Sequence, residues 1–155
     1  MAGYSKRPLA AKLGFAEGQR VCVLAAPEGY REMLGPLPDG LRWARTLRGR
    51  FDLIHCFTRS RAELTRRFPK LRDAVDVGGA LWISWPKRAS GVATDLTEDV
   101  IRRVALDSGM VDVKVCAVDD VWSGLKLVFR TADRPAIAAA RAVARGTKPS
   151  TAARR

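Results

Sequence analysis

Two short segments of this chain hold residue types that could do chemistry. In residues 26–30, Ala26-Pro27-Glu28-Gly29-Tyr30, a carboxylate, a glycine and a phenol follow an apolar run. Residues 84–91, Ser84-Trp85-Pro86-Lys87-Arg88-Ala89-Ser90-Gly91, offer two hydroxyls, two cations and a glycine that lets backbone come close to a ligand. Cations, hydroxyls and free backbone amides suit a phosphate or a carboxylate. The Gly-x-x-x-x-Gly-Lys spacing of a phosphate loop is absent. Glu28 could act as a general base or accept ribose hydroxyls; the plainer reading is an acid that complements a helix dipole. Tyr30 could stack on a base or pack into the core. Trp122-Ser123-Gly124 opens a strand-like run, where a glycine marks a bulge or a close backbone approach. Trp122 therefore either lines the same pocket or packs on the sheet beside Trp82 and Trp85. The candidate ligand-binding set is Pro27, Glu28, Gly29, Tyr30, Ser84, Lys87, Ser90, Gly91 and Trp122.

Conventional catalytic and metal arrangements find little support. His55 is the single histidine, which excludes a histidine-based metal cluster, and no metal is expected. As a base it would need Asp119 or Asp120 brought to it by the fold; a hydrogen-bonded core histidine is the simpler reading. No Ser-His-Asp arrangement has supporting local context. Cys22, Cys56 and Cys116 each sit in an apolar run without paired spacing, and read as reduced core residues of a cytoplasmic protein.

The elements that must position these residues follow from pattern. Apolar runs rich in β-formers predict strands over 20–26, 51–57 and 80–85, with a weaker one over 41–47. Residues 8–13 and 28–34 predict short helices, each with a proline near its start. Ser60-Arg-Ala-Glu63 is a capping box opening a helix in which Leu64, Phe68, Leu71 and Val75 recur at helical spacing; Pro69 should kink or split it. Asp95-Leu-Thr-Glu98 is a second capping box, with Thr97 a competing cap. Alternation over 111–118, the Asp119-Asp120 turn and the run 121–130 predict an antiparallel hairpin.

This order predicts an α/β, Rossmann-like domain over 1–130. Its mostly parallel sheet should have five to six strands, helices on both faces and a C-terminal antiparallel hairpin. One joint is awkward: from Leu47 to Phe51 there is too little chain for a helical parallel crossover, so the second strand should be short, antiparallel or irregular.

Composition bounds the rest. A chain of 155 residues, 47% hydrophobic, suits one domain with its own core. No apolar run is long enough to span a bilayer, and no signal peptide or membrane association is expected. The net charge of +12 favours anionic partners. Residues 131–155 form a basic Ala/Arg-rich tail, expected to be partly helical or disordered. Its Arg141, Arg145, Lys148, Arg154 and Arg155 could hold phosphates without reading sequence.

Two resemblances accompany this reading. Leu13-Gly-Phe-Ala-Glu-Gly-Gln-Arg-Val21, Val77-Gly-Gly-Ala-Leu-Trp-Ile-Ser84 and the terminal hairpin resemble class I S-adenosylmethionine-dependent methyltransferases. The resemblance implies their fold. The cofactor motif is degenerate: Ala25-Ala-Pro-Glu-Gly-Tyr30 lacks the glycine-rich turn. Arg42-Trp-Ala-Arg-Thr-Leu-Arg48 is basic where that family places an acid for the ribose, and the third strand is missing. Residues 26–30, 34–38, 84–95 and 113–126 are similar to a small bacterial family of unknown function, domain-of-unknown-function family 3052. That resemblance covers about residues 2–130 and implies a bacterial protein with no established activity.

The function expected from the residues is non-catalytic binding or regulation, with a small anionic metabolite or nucleotide as ligand. One alternative is a divergent S-adenosylmethionine-dependent methyltransferase. The other is non-specific nucleic-acid binding through the basic tail.

Overall fold

Capped periodic runs become helices and apolar runs become strands in the computed structural model, which describes residues 7–146. In chain order these are α1 (Leu9–Leu13), β1 (Arg20–Leu24), α2 (Tyr30–Leu34), β2 (Arg42–Ala44), β3 (Phe51–Phe57) and α3 (Arg61–Ala74). There follow β4 (Val75–Pro86), α4 (Glu98–Asp107), β5 (Met110–Ala117), β6 (Trp122–Phe129) and α5 (Arg134–Gly146).

The predicted cap at Ser60 forms, and at the next helix the competing cap, Thr97, forms in place of the Asp95 box. Ser60 Oγ accepts from Glu63 N at 3.1 Å to start α3. Thr97 Oγ1 accepts from Val100 N at 3.2 Å to start α4. Asp95, the cap of the expected box, instead accepts from Arg61 N at 2.7 Å and ties the two helix starts together. Helix α3 runs unbroken through Pro69. Leu64, Phe68, Leu71 and Ala74 bury its inner face on both sides of the proline, so packing holds the helix where local propensity would break it.

Six strands form one sheet in the order β2-β1-β3-β4-β6-β5. The first four are parallel; β6 is antiparallel to β4 and β5 to β6. The sheet is thus mixed, a parallel block closed by the expected hairpin. Strand β4 starts earlier than its apolar run suggests and includes Gly78 and Gly79, at a register shift in its pairing with β3. A Cβ on Gly79 would stand 2.8 Å from the Asp52 carbonyl oxygen, so β3 and β4 meet there only because this residue has no side chain.

The awkward joint resolves without a helix. Strand β2 is three residues long and parallel to β1, and residues 45–50 return to β3 through a crossover that holds no helix, turned at Thr46–Arg48 and at Gly49. Extended chain covers about 3.3–3.6 Å per residue, enough to recross so short a strand. Arg20 clamps this segment: its guanidinium donates to the carbonyls of Arg48 and Arg50, both at 2.8 Å. Gly49 fits beneath it; a Cβ there would stand 2.6 Å from Arg20 Nη1.

Alternation along the strands builds two cores. Ile54, Cys56, Leu81, Ile83 and Trp85 pack beneath α3, α4 and α5. Leu53, Phe57 and Trp82 pack beneath α1 and α2 with Leu13, Tyr30 and Leu34. No described helix is long and apolar enough to cross a membrane.

Candidate functional site

Strand order reverses between β1 and β3, because β2 and β3 flank β1 on opposite sides. Ligands of open α/β sheets bind beyond the carboxyl ends of strands at such a point. The chain leaves β1 there through Ala25, whose φ of 58° is the only positive value among the described non-glycine residues. Left-handed backbone costs a residue with a Cβ about 1–2 kcal/mol. The turn therefore has the conformation a glycine would favour, without the glycine. Ala25, Ala26, Glu28 and Gly29 are exposed and Pro27 is half-buried. Gly29 caps α2 without a side-chain hydrogen bond.

Tyr30 turns inward. Its hydroxyl lies 2.8 Å from His55 Nδ1, and His55 Nε2 lies 2.7 Å from Ser84 Oγ. Tyrosine, histidine and serine thus join α2 to β3 and β4 in one buried line. Burial drops the His55 pKa to about 3, so the imidazole is neutral, and burial raises that of Tyr30, so the phenol stays protonated. A neutral ring has one N–H, so one neighbour donates to it and the other accepts. His55 stacks on Phe57 at 4.3 Å, and Phe57 meets the edges of Tyr30 and Trp122. His55 and Ser84 have no exposed surface. The line can rigidify the core; it cannot reach a substrate. Asp119 is not its partner, since it accepts from Val121 N and Trp122 N at the hairpin turn.

The nine candidate residues fall into three places. Tyr30, Ser84 and Trp122 converge on the aromatic core around His55 and Phe57. Pro27, Glu28 and Gly29 stay at the exposed turn after β1. Lys87, Ser90 and Gly91 belong to the loop beyond β4, on the side of the sheet facing α3 and α4. There Ser90 Oγ donates to the Lys87 carbonyl at 2.7 Å and Lys87 N donates to Val121 O at 2.7 Å. The loop is fastened to the start of α3 where Thr94 Oγ1 donates to Arg59 O at 2.7 Å. A cavity of about 440 Å³ opens among Trp85, Pro86, Arg88, Gly91, Thr94 and Glu98.

A second cavity, about 410 Å³, opens at the carboxyl ends of β1 and β2 among Ala26, Tyr30, Arg31, Trp43, Ala44 and Arg45. Both volumes lie in the usual range for small-ligand pockets. The Arg31 guanidinium lies 3.6 Å over the Trp43 ring. Two cations and two aromatic rings line this cavity, and no carboxylate does. Arg31, Trp43 and Arg45 are absent from the candidates named by sequence. The signal was legible at Arg45, which stands where the methyltransferase resemblance calls for an acid.

Among the described residues no group of three His, Cys, Asp or Glu is placed to hold a metal ion. All three cysteines are free and buried. In the tail, Arg141 donates to the carbonyls of Val75 and Arg72 at 2.7 and 3.1 Å, which docks α5 on the sheet. Arg145 is exposed, and Lys148, Arg154 and Arg155 lie outside the described residues.

This architecture is the Rossmann-like fold of class I S-adenosylmethionine-dependent methyltransferases. An S-adenosylmethionine-dependent methyltransferase from Clostridium acetobutylicum is similar with a TM-score of 0.56 at 10% identity, over 83% of this chain and 93% of that one. A TehB-like methyltransferase from Corynebacterium glutamicum gives 0.52 at 13% identity, over 83% and 91%. Magnesium protoporphyrin IX methyltransferase from Synechocystis, with bound SAH, gives 0.51 at 15% identity, over 73% and 75%. No family profile and no curated protein matches the sequence.

Proposed function

We propose that this chain is a non-catalytic binding or regulatory module for a small anionic metabolite or nucleotide, held beyond the carboxyl ends of β1 and β2. The observation that carries this is the charge of the cavity there. Arg31 and Arg45 line it beside Trp43 and Tyr30, with no carboxylate among them. Guanidinium groups suit phosphate or carboxylate, and an indole offers a face for a base. Pro27, Glu28 and Gly29 form the adjacent turn, so the ligand meets backbone there. Gly91 and Arg88 line the separate cavity beyond β4, on the other side of the sheet, and Lys87 and Ser90 belong to the same loop.

A methyltransferase reading rests on fold alone. S-adenosylmethionine carries a cationic sulfonium, and the ribose would meet Arg45 where an acceptor is needed. Repulsion of this kind selects against a ligand as effectively as attraction selects for one. The only histidine is buried and neutral, and no carboxylate lines the cavity. The tail alternative draws little support from Arg141, whose guanidinium is spent on backbone carbonyls. The unit assigned to ligand binding is residues 1–130, with 131–155 appended through α5. Free, buried cysteines suit a reducing cytoplasm.

The test is a thermal-shift screen followed by calorimetry on the full chain. The panel holds nucleotides, phosphorylated metabolites, S-adenosylmethionine and its demethylated product. An anion should raise the melting temperature, and Arg45→Glu should weaken its binding at least tenfold. Lys87→Ala with Ser90→Ala should matter only for a ligand of the cavity beyond β4. Saturable binding of the methyl donor, or transfer of its labelled methyl group, would overturn the reading in favour of the enzyme.

A further inference from the structure

The charge excess of the described residues is confined to one stretch of chain. Residues 40–72 hold ten Lys/Arg against two Asp/Glu, whereas the other described residues hold fourteen of each. Neither acid of the stretch neutralises its surface. Asp52 accepts from Arg20 N at 2.8 Å, and Glu63 accepts from Thr58 Oγ1 at 2.7 Å with only Arg67 nearby, at 3.9 Å.

Folding gathers these cations on one face. The crossover 45–50 lies over β1 on the α3 side: Thr46 O accepts from Cys22 Sγ at 3.6 Å, and Leu47 packs into the core beneath α3. Arg50 and Lys70 line one surface cleft together with Leu47, Gly49, Asp73 and Ala74. Arg67 projects toward the same strand, where its charge opposes the upward push of burial on the Cys22 and Cys56 thiols. Arg66 stands one helical turn from Lys70. Arg45, Arg48, Arg50, Arg66 and Lys70 are exposed and make no ion pair with any described residue. The backbone beneath them is rigid, clamped by Arg20 on one side and by the buried face of α3 on the other.

We infer that this face, the β2–β3 crossover with the outer side of α3, binds the phosphate backbone of nucleic acid without reading its sequence. Nine of the ten cations are arginines, which keep their charge at any physiological pH. A membrane would ask for apolar anchors among the charges, yet the exposed large hydrophobic residues are Leu37, Leu106, Val113, Val115 and Val143, all outside residues 40–72. Backbone contact alone gives affinity without specificity, and makes it steeply salt-dependent. Arg45 also lines the β1–β2 cavity, but Arg48, Arg50, Arg66 and Lys70 stand apart from it and from the tail beyond residue 146, and the inference rests on these four.

The experiment is fluorescence anisotropy of the full chain with a labelled duplex of about 20 base pairs across a salt series, each phosphate contact adding about 0.9 to the slope of log affinity on log salt. The variant R48Q/R50Q/R66Q/K70Q should weaken binding at least tenfold at low salt and flatten the slope by up to about 3.6. Its circular dichroism and melting temperature should match the parent. R48K/R50K/R66K should keep most of the affinity, because charge rather than geometry carries a non-specific contact. The tail variant K148Q/R154Q/R155Q should bind nearly as the parent does. Unchanged affinity in the four-residue variant, collapse of binding in the tail variant, or absence of binding by the parent would each overturn the inference. So would anionic lipid vesicles that bind the parent more tightly than the duplex and lose that binding in the four-residue variant.

Discussion

Ala25 and His55 show how single residues are constrained at the crevice. Ala25 holds a left-handed backbone, so Ala25→Gly relieves strain of about 1–2 kcal/mol while adding back up to about 1 kcal/mol of unfolded-chain entropy. The variant is expected to melt at the same or a higher temperature in calorimetry; a clear loss would mean that the methyl group packs against something. His55 carries the pH dependence. Its pKa falls from 6.5 to about 3 on burial. The unfolded chain therefore binds the proton more readily than the folded one. That contribution to stability is complete above pH 6.5 and is lost as pH falls from there toward 3. Between pH 6.5 and pH 5 the loss is about 2 kcal/mol. Denaturant melts at the two values should show it, and His55→Gln should remove it. The residue-level reading of the sequence already favoured a core histidine; its partners Tyr30 and Ser84, 25 and 29 positions away, were beyond it.

At the scale of elements, two close approaches fix how the strands lie. Gly79 lets β4 come against the carbonyls of Phe51 and Asp52, at the register shift between β3 and β4. Gly79→Ala must push the strands apart, and overpacking of this kind costs about 1–3 kcal/mol. Chemical denaturation should register that loss, with faster amide exchange at the start of β3. Paired glycines such as Gly78-Gly79 usually punctuate an element. Only the neighbouring backbone explains their place inside a strand. Pro69 is the converse case: its local rule predicts a break, and the buried stripe from Leu64 to Ala74 overrides it.

Over the whole molecule, charge is the distinguishing property. Residues 40–72 concentrate like charges on one face, where they repel one another. Raising salt from about 20 to about 300 mM shortens the Debye length from about 20 Å to under 6 Å and screens that repulsion. The melting temperature should rise over this range in the parent, and rise less in R48Q/R50Q/R66Q/K70Q. An equal rise in both would place the repulsion elsewhere. The same asymmetry gives the β1–β2 cavity its polarity, because Arg45 belongs both to the basic stretch and to the cavity wall.

The sequence by itself determined the elements, the cap at Ser60, the hairpin and the mixed α/β class, and left Asp95 and Thr97 as alternative caps of α4. Those depend on residues a few positions apart, and periodicity and capping are local. It also carried the excess of positive charge and the basic end of the second strand. Tertiary structure decided which of the candidate residues share a space. Ser84 and Trp85 are neighbours in the chain, yet successive residues of a strand point to opposite faces, so one meets His55 and the other lies beneath α3 and α4. Strand order then placed Arg31, Trp43 and Arg45 around one cavity and folded the crossover against α3, and strand order is set by packing among distant segments.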